Sequence, residues 1–395
     1  MNQIIVDRKA LERELTIAKK VIGKGNSLMI CQSVRLAFYE DGIAIQSTNL
    51  GRAYTGVIGD PLYNYWVPDN SEKVLIDADR FMKVVKAIPK KITEVSLEIT
   101  WEDHGLLING TTTIVGSGRV DDYPTLPQLP VSRSYNLFSY DAFSQVSGIT
   151  YCKEDKRVHI NHLYADTKTG RLVSTDGSRL YVTKIPITES LKPFMIEKNA
   201  VNILCTPQLR DHIGPVRLDK RNVFFITGNG YMTIRLPEDA EFPNYGMVCE
   251  YFGQDPEAII SMSDKQIVID AMNEAQGILS DRYRGITVDI NGHVIISAVN
   301  PDLGEFKKDI SKEVDAYSIG SLIDYDLLEC TLQLQNHIGY LGKNMTFGFN
   351  PAYIIDACKQ IPDTGLNLLF PGENKPMLIQ SAINDFQVVI MPMRV

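Results

Sequence analysis

VRLAFYEDGIAIQSTNLGR, residues 34–52, reads as a β-rich run, a turn pair at Asp41-Gly42, a second β-rich run and a polar corner, STNL. Asp-Gly and Asn-Gly pairs signal tight hairpins because both turn residues must accept positive φ. The same order recurs twice. NHLYADTKTGRLVSTDGSR from Asn161 turns at Thr169-Gly170 and reaches STDG, and RGITVDINGHVIISAVNPD from Arg284 turns at Asn291-Gly292 and reaches AVNP. A β-rich unit repeated three times predicts an α+β chain built from tandem copies.

Downstream of each unit comes a helical stretch. IDADRFMKVVKAI, LCTPQLRDHI and FNPAYIIDACKQI are entered through Asp77, Thr206 and Asn350, all favourable N-cap residues, and Pro207 and Pro351 suit the first helical position. More strands follow. The copies end in TTIVGSGRVDDYPTLP, YMTIRLPEDAEFPNYG and FQVVIMPMRV. The first two run into acidic segments with the pairs Tyr123-Pro124 and Phe242-Pro243, which read as linkers, whereas the third stops. Boundaries near 128 and 255 follow, giving domains 1–128, 129–255 and 256–395, each of ordinary size.

The bulk composition narrows the function. The 395 residues carry a net charge of −8, so no global basic field draws the chain to nucleic acid or membrane, although a local basic face is allowed. Six scattered cysteines without a C-x-x-C pair fit free thiols in a reducing cytosol. The charged opening MNQIIVDRKALERELTIAKK is unlike a signal peptide, and no apolar run is long enough to span a bilayer. A cytoplasmic protein without a membrane partner is the expectation.

The helices carry the functional signal. On residues 9–22, Leu11, Leu15, Ala18 and Ile22 share one face, opposite Lys9, Arg13, Thr16 and Lys20. On residues 79–90, Phe81, Val84, Val85 and Ile88 oppose Lys83, Lys86 and Lys90. A solvated polar face explains one such stripe. Two in one domain of an acidic chain indicate segregated charge of a kind that suits duplex phosphates. The pattern thins later. Asp141–Tyr151 has few bases, though Lys153, Lys156 and Arg157 follow it, and Lys265–Leu279 carries Asp270 and Glu274, with Arg282 and Arg284 beyond.

Catalysis finds little support. Ser178 with Asp176 and His159 or His162 would be a hydrolase set, but there is no G-x-S-x-G elbow. HINH makes a poor metal pair, since positions i and i+3 of a strand point to opposite faces. No Walker A or G-x-G-x-x-G loop occurs, so neither a cofactor nor a metal is expected.

Three tandem β-rich copies, STDGSRL in the middle copy, FPNYGMV at the second boundary, ILSDRYRGITV and FNPAYIIDA in the third, and a chain ending MPMRV together resemble the bacterial DNA polymerase III beta subunits, the beta sliding clamps. The likeness covers the whole chain in order. It implies three clamp domains, each with two helices packed on antiparallel sheets, and two chains closing head to tail into a ring. Such a clamp is non-catalytic. It encircles double-stranded DNA without regard to sequence, and it tethers the replicative polymerase catalytic subunit and other clamp-binding repair or replication proteins after a clamp loader places it. The implied DNA-facing residues are Lys9, Arg13, Lys20, Lys24, Lys83, Lys86, Lys90, Arg157 and Arg284.

Residue-by-residue matching also implies a partner-peptide pocket. It comprises Ile160, Thr175, Gly177, Arg179 and Leu180, then Pro243 and Val248, and finally Val389, Ile390, Met391, Pro392, Met393 and Arg394. Methionine suits an adaptable apolar cleft that takes a leucine or aromatic anchor. The homodimer joint would set Thr113 and Val115 against Ile278 and Leu279. The chain departs from the family pattern at Ser178, where many members carry a larger polar residue, and at Met247, where some carry arginine. It departs again at GENKP, 372–376, on the pocket rim, and at Thr113, where an aromatic is expected. Two rival readings stand beside this one: a repeat-built protein-interaction scaffold that does not encircle DNA, and a hydrolase at Ser178.

Overall fold

In chain order the first copy contains β1 (Ile4–Asp7), α1 (Arg8–Ile22), β2 (Ser33–Tyr39), β3 (Gly42–Thr48), β4 (Arg52–Gly59), β5 (Glu72–Asp77), α2 (Ala78–Ala87), β6 (Glu94–Thr100), β7 (Gly105–Ile108) and β8 (Thr112–Ile114). There follow α3 (Tyr140–Val146), β9 (His162–Asp166), β10 (Arg171–Thr175), β11 (Arg179–Lys184), β12 (Phe194–Glu197), α4 (Lys198–Leu204), β13 (Val216–Leu218), β14 (Asn222–Thr227) and β15 (Gly230–Arg235). The remainder holds α5 (Gly246–Cys249), β16 (Ala258–Met262), α6 (Gln266–Gln276), β17 (Ile286–Ile290), β18 (Val294–Asn300), β19 (Gly304–Asp309), β20 (Asp315–Ser318) and β21 (His337–Gly342). It ends with β22 (Met345–Phe349), α7 (Pro351–Gln360), β23 (Leu366–Phe370), β24 (Met377–Ser381) and β25 (Gln387–Ile390). This computed structural model describes every residue except 1–2, 24–27, 60–66, 101, 103, 150–154, 156, 239, 251–255, 291–292, 314, 319–336, 343–344, 373, 382–384 and 394–395.

The three repeated stretches form the antiparallel meanders β2-β3-β4, β9-β10-β11 and β17-β18-β19. Their turns differ in detail from the expectation. Tyr39 lies opposite Gly42, so the first loop is Glu40-Asp41 and Gly42 already belongs to β3. Gly170 has φ of 68°, as a turn glycine should, but it closes a longer loop between Asp166 and Arg171. The third pair, Asn291-Gly292, lies outside the described residues.

The helix caps follow local chemistry. The Asp7 carboxylate accepts from the Ala10 amide at 2.7 Å, and Asp77 accepts from Arg80 at 2.7 Å. The Asn350 side chain accepts from Ala352 at 3.0 Å, with Pro351 in the first helical turn. Helix α2 stops at Ala87 because Ile88 precedes Pro89 and is extended, which leaves Lys90 in the following turn. One expectation fails. The helix predicted to begin at Thr206 lies upstream, as α4, and only a short 3₁₀ turn, Arg210–His212, forms beyond it. The Thr206 hydroxyl donates back to the Ile203 carbonyl at 2.7 Å, so this residue terminates a helix where an N-cap was expected.

The backbone divides into two compact units, residues 1–143 with 195–239, and residues 144–194 with 240–395. In the first, one sheet runs β1-β6-β7-β8 and another β13-β14-β15-β4-β3-β2-β5. Helix α1 buries Leu11, Leu15, Ile17 and Ala18 and packs on α2, β3 and β4. Phe138, Phe143 and Phe225 form an aromatic cluster with centroids 4.8–5.9 Å apart. Tyr123, expected in a linker, is buried and donates to the Ser33 carbonyl at 3.2 Å.

In the second unit the strands run β9-β10-β11-β25-β24-β23-β16-β21-β20, and a separate sheet runs β19-β18-β17-β22. Helices α6 and α7 pack together. Both large sheets cross the boundaries expected at 128 and 255. Strand β15 pairs with β4, and β25 pairs with β11, each antiparallel.

The β15–β4 joint requires a bare backbone at Gly230, where an added Cβ would stand 2.0 Å from the Thr55 carbonyl oxygen. Gly230→Ala is therefore expected to destabilise the chain by about 1–3 kcal/mol, read as a lower urea midpoint, and an unchanged midpoint would show that the joint yields freely.

Candidate functional site

The STDGSRL segment makes a tight turn between β10 and β11. The Thr175 hydroxyl donates to the Arg179 carbonyl at 2.7 Å and accepts from the Gly177 amide at 3.0 Å. The Asp176 carboxylate accepts from the Ser178 and Arg179 amides at 3.0 and 3.1 Å. Gly177 has φ of 91°, which L side chains adopt only under strain. Strand β25 lies beside this turn, with Arg179 opposite Ile390 and Leu180 opposite Val389. The Met391 amide then donates to the Ser178 carbonyl at 2.9 Å, and the Met393 amide to Gly348 at 2.8 Å.

An apolar floor runs beneath. Leu180, Val182, Val173, Val389, Leu378, Tyr245 and Cys249 form one cluster, against which Val248, Phe242 and Tyr164 pack. Phe242 stacks on Tyr164 with centroids 4.7 Å apart, and the Tyr245 hydroxyl donates to the Asp166 carboxylate at 2.7 Å. The second expected linker is thus a structural wall. Its signal was present in EFPNYG, whose aromatic residues outnumber what a solvated tether needs. Met247 is 67% exposed and Met391 43% exposed, while Ile160, Val389 and Ile390 are buried. Pro243 is exposed, and Pro392 and Met393 are half-buried. Arg394 lies outside the described residues.

Arg179 is the polar centre of this wall and is only 7% exposed. Its Nε donates to Asp176 at 2.9 Å and a terminal nitrogen donates to Asp356 of α7 at 2.8 Å. Its guanidinium lies over the Tyr353 ring at 4.5 Å. Burial pulls the Arg179 pKa down, but Tyr181, Asp356 and Asp176 outweigh it, so the group ends above its ordinary value. Sequence reasoning missed Asp356 and Tyr353. The signal was an i, i+3 pair on a capped helix, one turn past Asn350.

Among the hydrolase candidates, Asp176 is engaged by Arg179 and by the turn amides. His159 belongs to a 3₁₀ turn, Val158–Asn161, and not to the strand in which it was expected, while His162 begins β9. No cluster of three or more potential metal ligands occurs among the described residues.

The predicted DNA-facing cations fall into two groups. Lys9, Lys83, Lys86 and Lys90 are exposed. Four others are engaged by neighbours, Arg157 and Arg284 while still exposed. Arg13 donates twice to Glu14, at 3.0 and 2.8 Å. Lys20 donates to Gln208 at 3.1 Å, and burial lowers its pKa. Arg157 pairs with Asp155 and Arg284 with Asp281. Lys24 lies outside the described residues. Helix α6 instead exposes Asp270 and Glu274, the latter paired with Lys308.

Glu14 is fully buried and accepts from the Tyr54 hydroxyl at 2.5 Å. Burial raises its pKa, against the opposing pull of Tyr54 and Arg13.

Comparisons with known proteins follow the same lines. Residues 334–394 match the family model described as DNA polymerase III beta subunit, C-terminal domain. The chain is 22% identical to a beta sliding clamp of Pseudomonas aeruginosa, covering 98% of this chain and 99% of the relative, and 22% identical to one of Rickettsia bellii over the full length of both. A crystal structure of the DNA polymerase III subunit beta from Pseudomonas aeruginosa superimposes with a TM-score of 0.79 at 20% identity, covering all of both chains. The Thermotoga maritima beta subunit does so at 0.78 and 19%, covering 100% of this chain and 99% of that one. The resemblance read from the sequence thus holds from end to end, and the fold is that of these proteins.

Between the ordinary carboxylate value and the raised value of Glu14, the folded chain keeps a proton that the unfolded chain has released. Stability contributed here therefore falls as pH climbs through that window. Glu14→Gln is expected to flatten this slope in urea midpoints taken between about pH 4 and about pH 7, and a difference from the parent chain that is constant with pH would contradict the assignment.

Proposed function

We propose that this chain is a sliding clamp of bacterial-type DNA replication: a non-catalytic cytoplasmic protein of three clamp domains, 1–128, 129–255 and 256–395, whose homodimeric ring encircles duplex DNA. The observation that carries this reading is the pattern of strand edges. The last strand of the second copy, β15, pairs with the third meander strand of the first, β4, and β25 of the third copy pairs with β11 of the second. Among the described residues, the same rule leaves β8 and β19 each at one edge of its sheet, with β1 and β22 at the opposite edges. A second chain in head-to-tail pairing supplies a β19 for each β8.

Side chains at these edges fit that role. Thr113 is exposed and Val115 is 56% exposed beside β8. Val299 and Leu303, at the corner before β19, are 62% and 63% exposed. Ile278 and Leu279 are half-buried under the same corner, where the Asn300 side chain donates to the Ile278 carbonyl at 2.7 Å. Unpaired edges with apolar flanks call for a partner strand.

Lysines that bind phosphates as flexible point charges let a duplex slide, and Lys9, Lys83, Lys86 and Lys90 carry this role, with Arg13, Lys20, Lys24, Arg157 and Arg284 adding field. The groove beside Arg179 receives a short peptide with a leucine or aromatic anchor. Through it the clamp tethers the replicative polymerase subunit, the clamp loader and other DNA-processing proteins in turn.

Light scattering of the native protein is expected to give the mass of two chains, and Val115→Asp, which buries a charge in the joint without touching the core, the mass of one. A native monomer would contradict the ring. The triple variant Lys83→Glu, Lys86→Glu, Lys90→Glu should lower the slope of log affinity against log salt for duplex DNA by about one per lysine. An unchanged slope would favour a scaffold that never meets DNA.

A further inference from the structure

We propose that Asp356, on α7, is a positioning residue for the partner groove: it acts through Arg179 to fix the Thr175–Leu180 turn, and this assignment rests on the peptide-groove reading above. The contacts form one continuous chain. Asp356 accepts from Arg179 at 2.8 Å, and Arg179 donates through Nε to Asp176 at 2.9 Å. Asp176 accepts from the Ser178 and Arg179 amides, and the Ser178 carbonyl accepts from Met391 at 2.9 Å. One carboxylate on a helix is thereby connected to both walls of the groove, the turn on one side and the Met391 strand end on the other.

The geometry around Arg179 leaves it few alternatives. It is nearly buried, Tyr353 covers its guanidinium face, and the Tyr181 ring centroid lies 5.7 Å from it. Tyr353 and Asp356 are one helical turn apart on α7, so a single helix presents both the ring under the guanidinium and the carboxylate at its tip. A planar guanidinium with two carboxylates on separate edges is fixed in plane as well as in position. Asp356 is itself 44% exposed at its side chain, so its role is not core packing, and its loss leaves the apolar cluster of Leu180, Val389 and Val248 in place. Asp176 alone would still hold Nε, but the guanidinium could then swing about that bond and take the turn with it.

The test uses the full-length protein and a short fluorescein-labelled peptide carrying one leucine and one phenylalanine, read by fluorescence anisotropy. Asp356→Asn is expected to weaken binding about tenfold, chiefly through faster dissociation, and Asp356→Glu to recover most of it. In an Arg179→Met background, Asp356→Asn should cause no further loss, because the two residues act in series. Thermal melts and DNA retention of Asp356→Asn should match the parent. Parent-like peptide affinity in Asp356→Asn, or losses that multiply in the double variant, would overturn the assignment while leaving the groove intact. Failure of the parent protein to bind the peptide would overturn the groove reading and this one with it.

Discussion

A β-strand at the edge of a sheet presents unpaired amides and carbonyls, and the second and third copies of this chain answer that by pairing their last strand with the meander of the copy before. The pairings β15 with β4 and β25 with β11 are the two instances inside the chain. Most other features depend on them. The close approach at Gly230 exists because β4 comes in beside it, and β25 runs on past β11 so that the Met391 amide reaches the Ser178 carbonyl, at the wall proposed to take a peptide. In the proposed function, the same rule pairs β8 of one chain with β19 of a second and turns a three-copy chain into half of a ring.

Charge is arranged with comparable economy. The chain is acidic overall, yet Lys9 on α1, Lys83 and Lys86 on α2 and Lys90 in the turn after it are exposed, while α6 exposes carboxylates. Arginines are used differently. Arg13, Arg157, Arg179 and Arg284 each sit against a carboxylate, so they shape local structure first and contribute field second. Glu14 is the extreme case, a buried carboxylate on the inner face of α1 that is held by Tyr54 and Arg13. In the proposed function, this division suits a surface that attracts phosphates without gripping them.

Much of this was legible in the sequence where the signal is local. The three meanders follow from turn residues and alternation, and the starts of α2 and α7 follow from Asp77 and Asn350. The Thr206-Pro207 pair misled because the same residues that start a helix can also close one, and here α4 was already complete at Leu204. The linker readings at Tyr123 and Phe242 failed because proline and acid flank aromatic residues whose burial depends on distant partners, Ser33 and Tyr164. Asp356 was invisible for the same reason, since its partner Arg179 is 177 residues away in sequence and meets it only once the chain is folded. Local chemistry was readable, and long-range pairing was not.

The central claim is topological: the dimer holds DNA by surrounding it. The most direct measurement is retention of the protein, placed by a clamp loader, on a nicked circular plasmid in gel filtration, before and after a single restriction cut. Encirclement predicts co-elution with the circle and rapid loss once free ends exist. Equal retention on circular and linear DNA would contradict it.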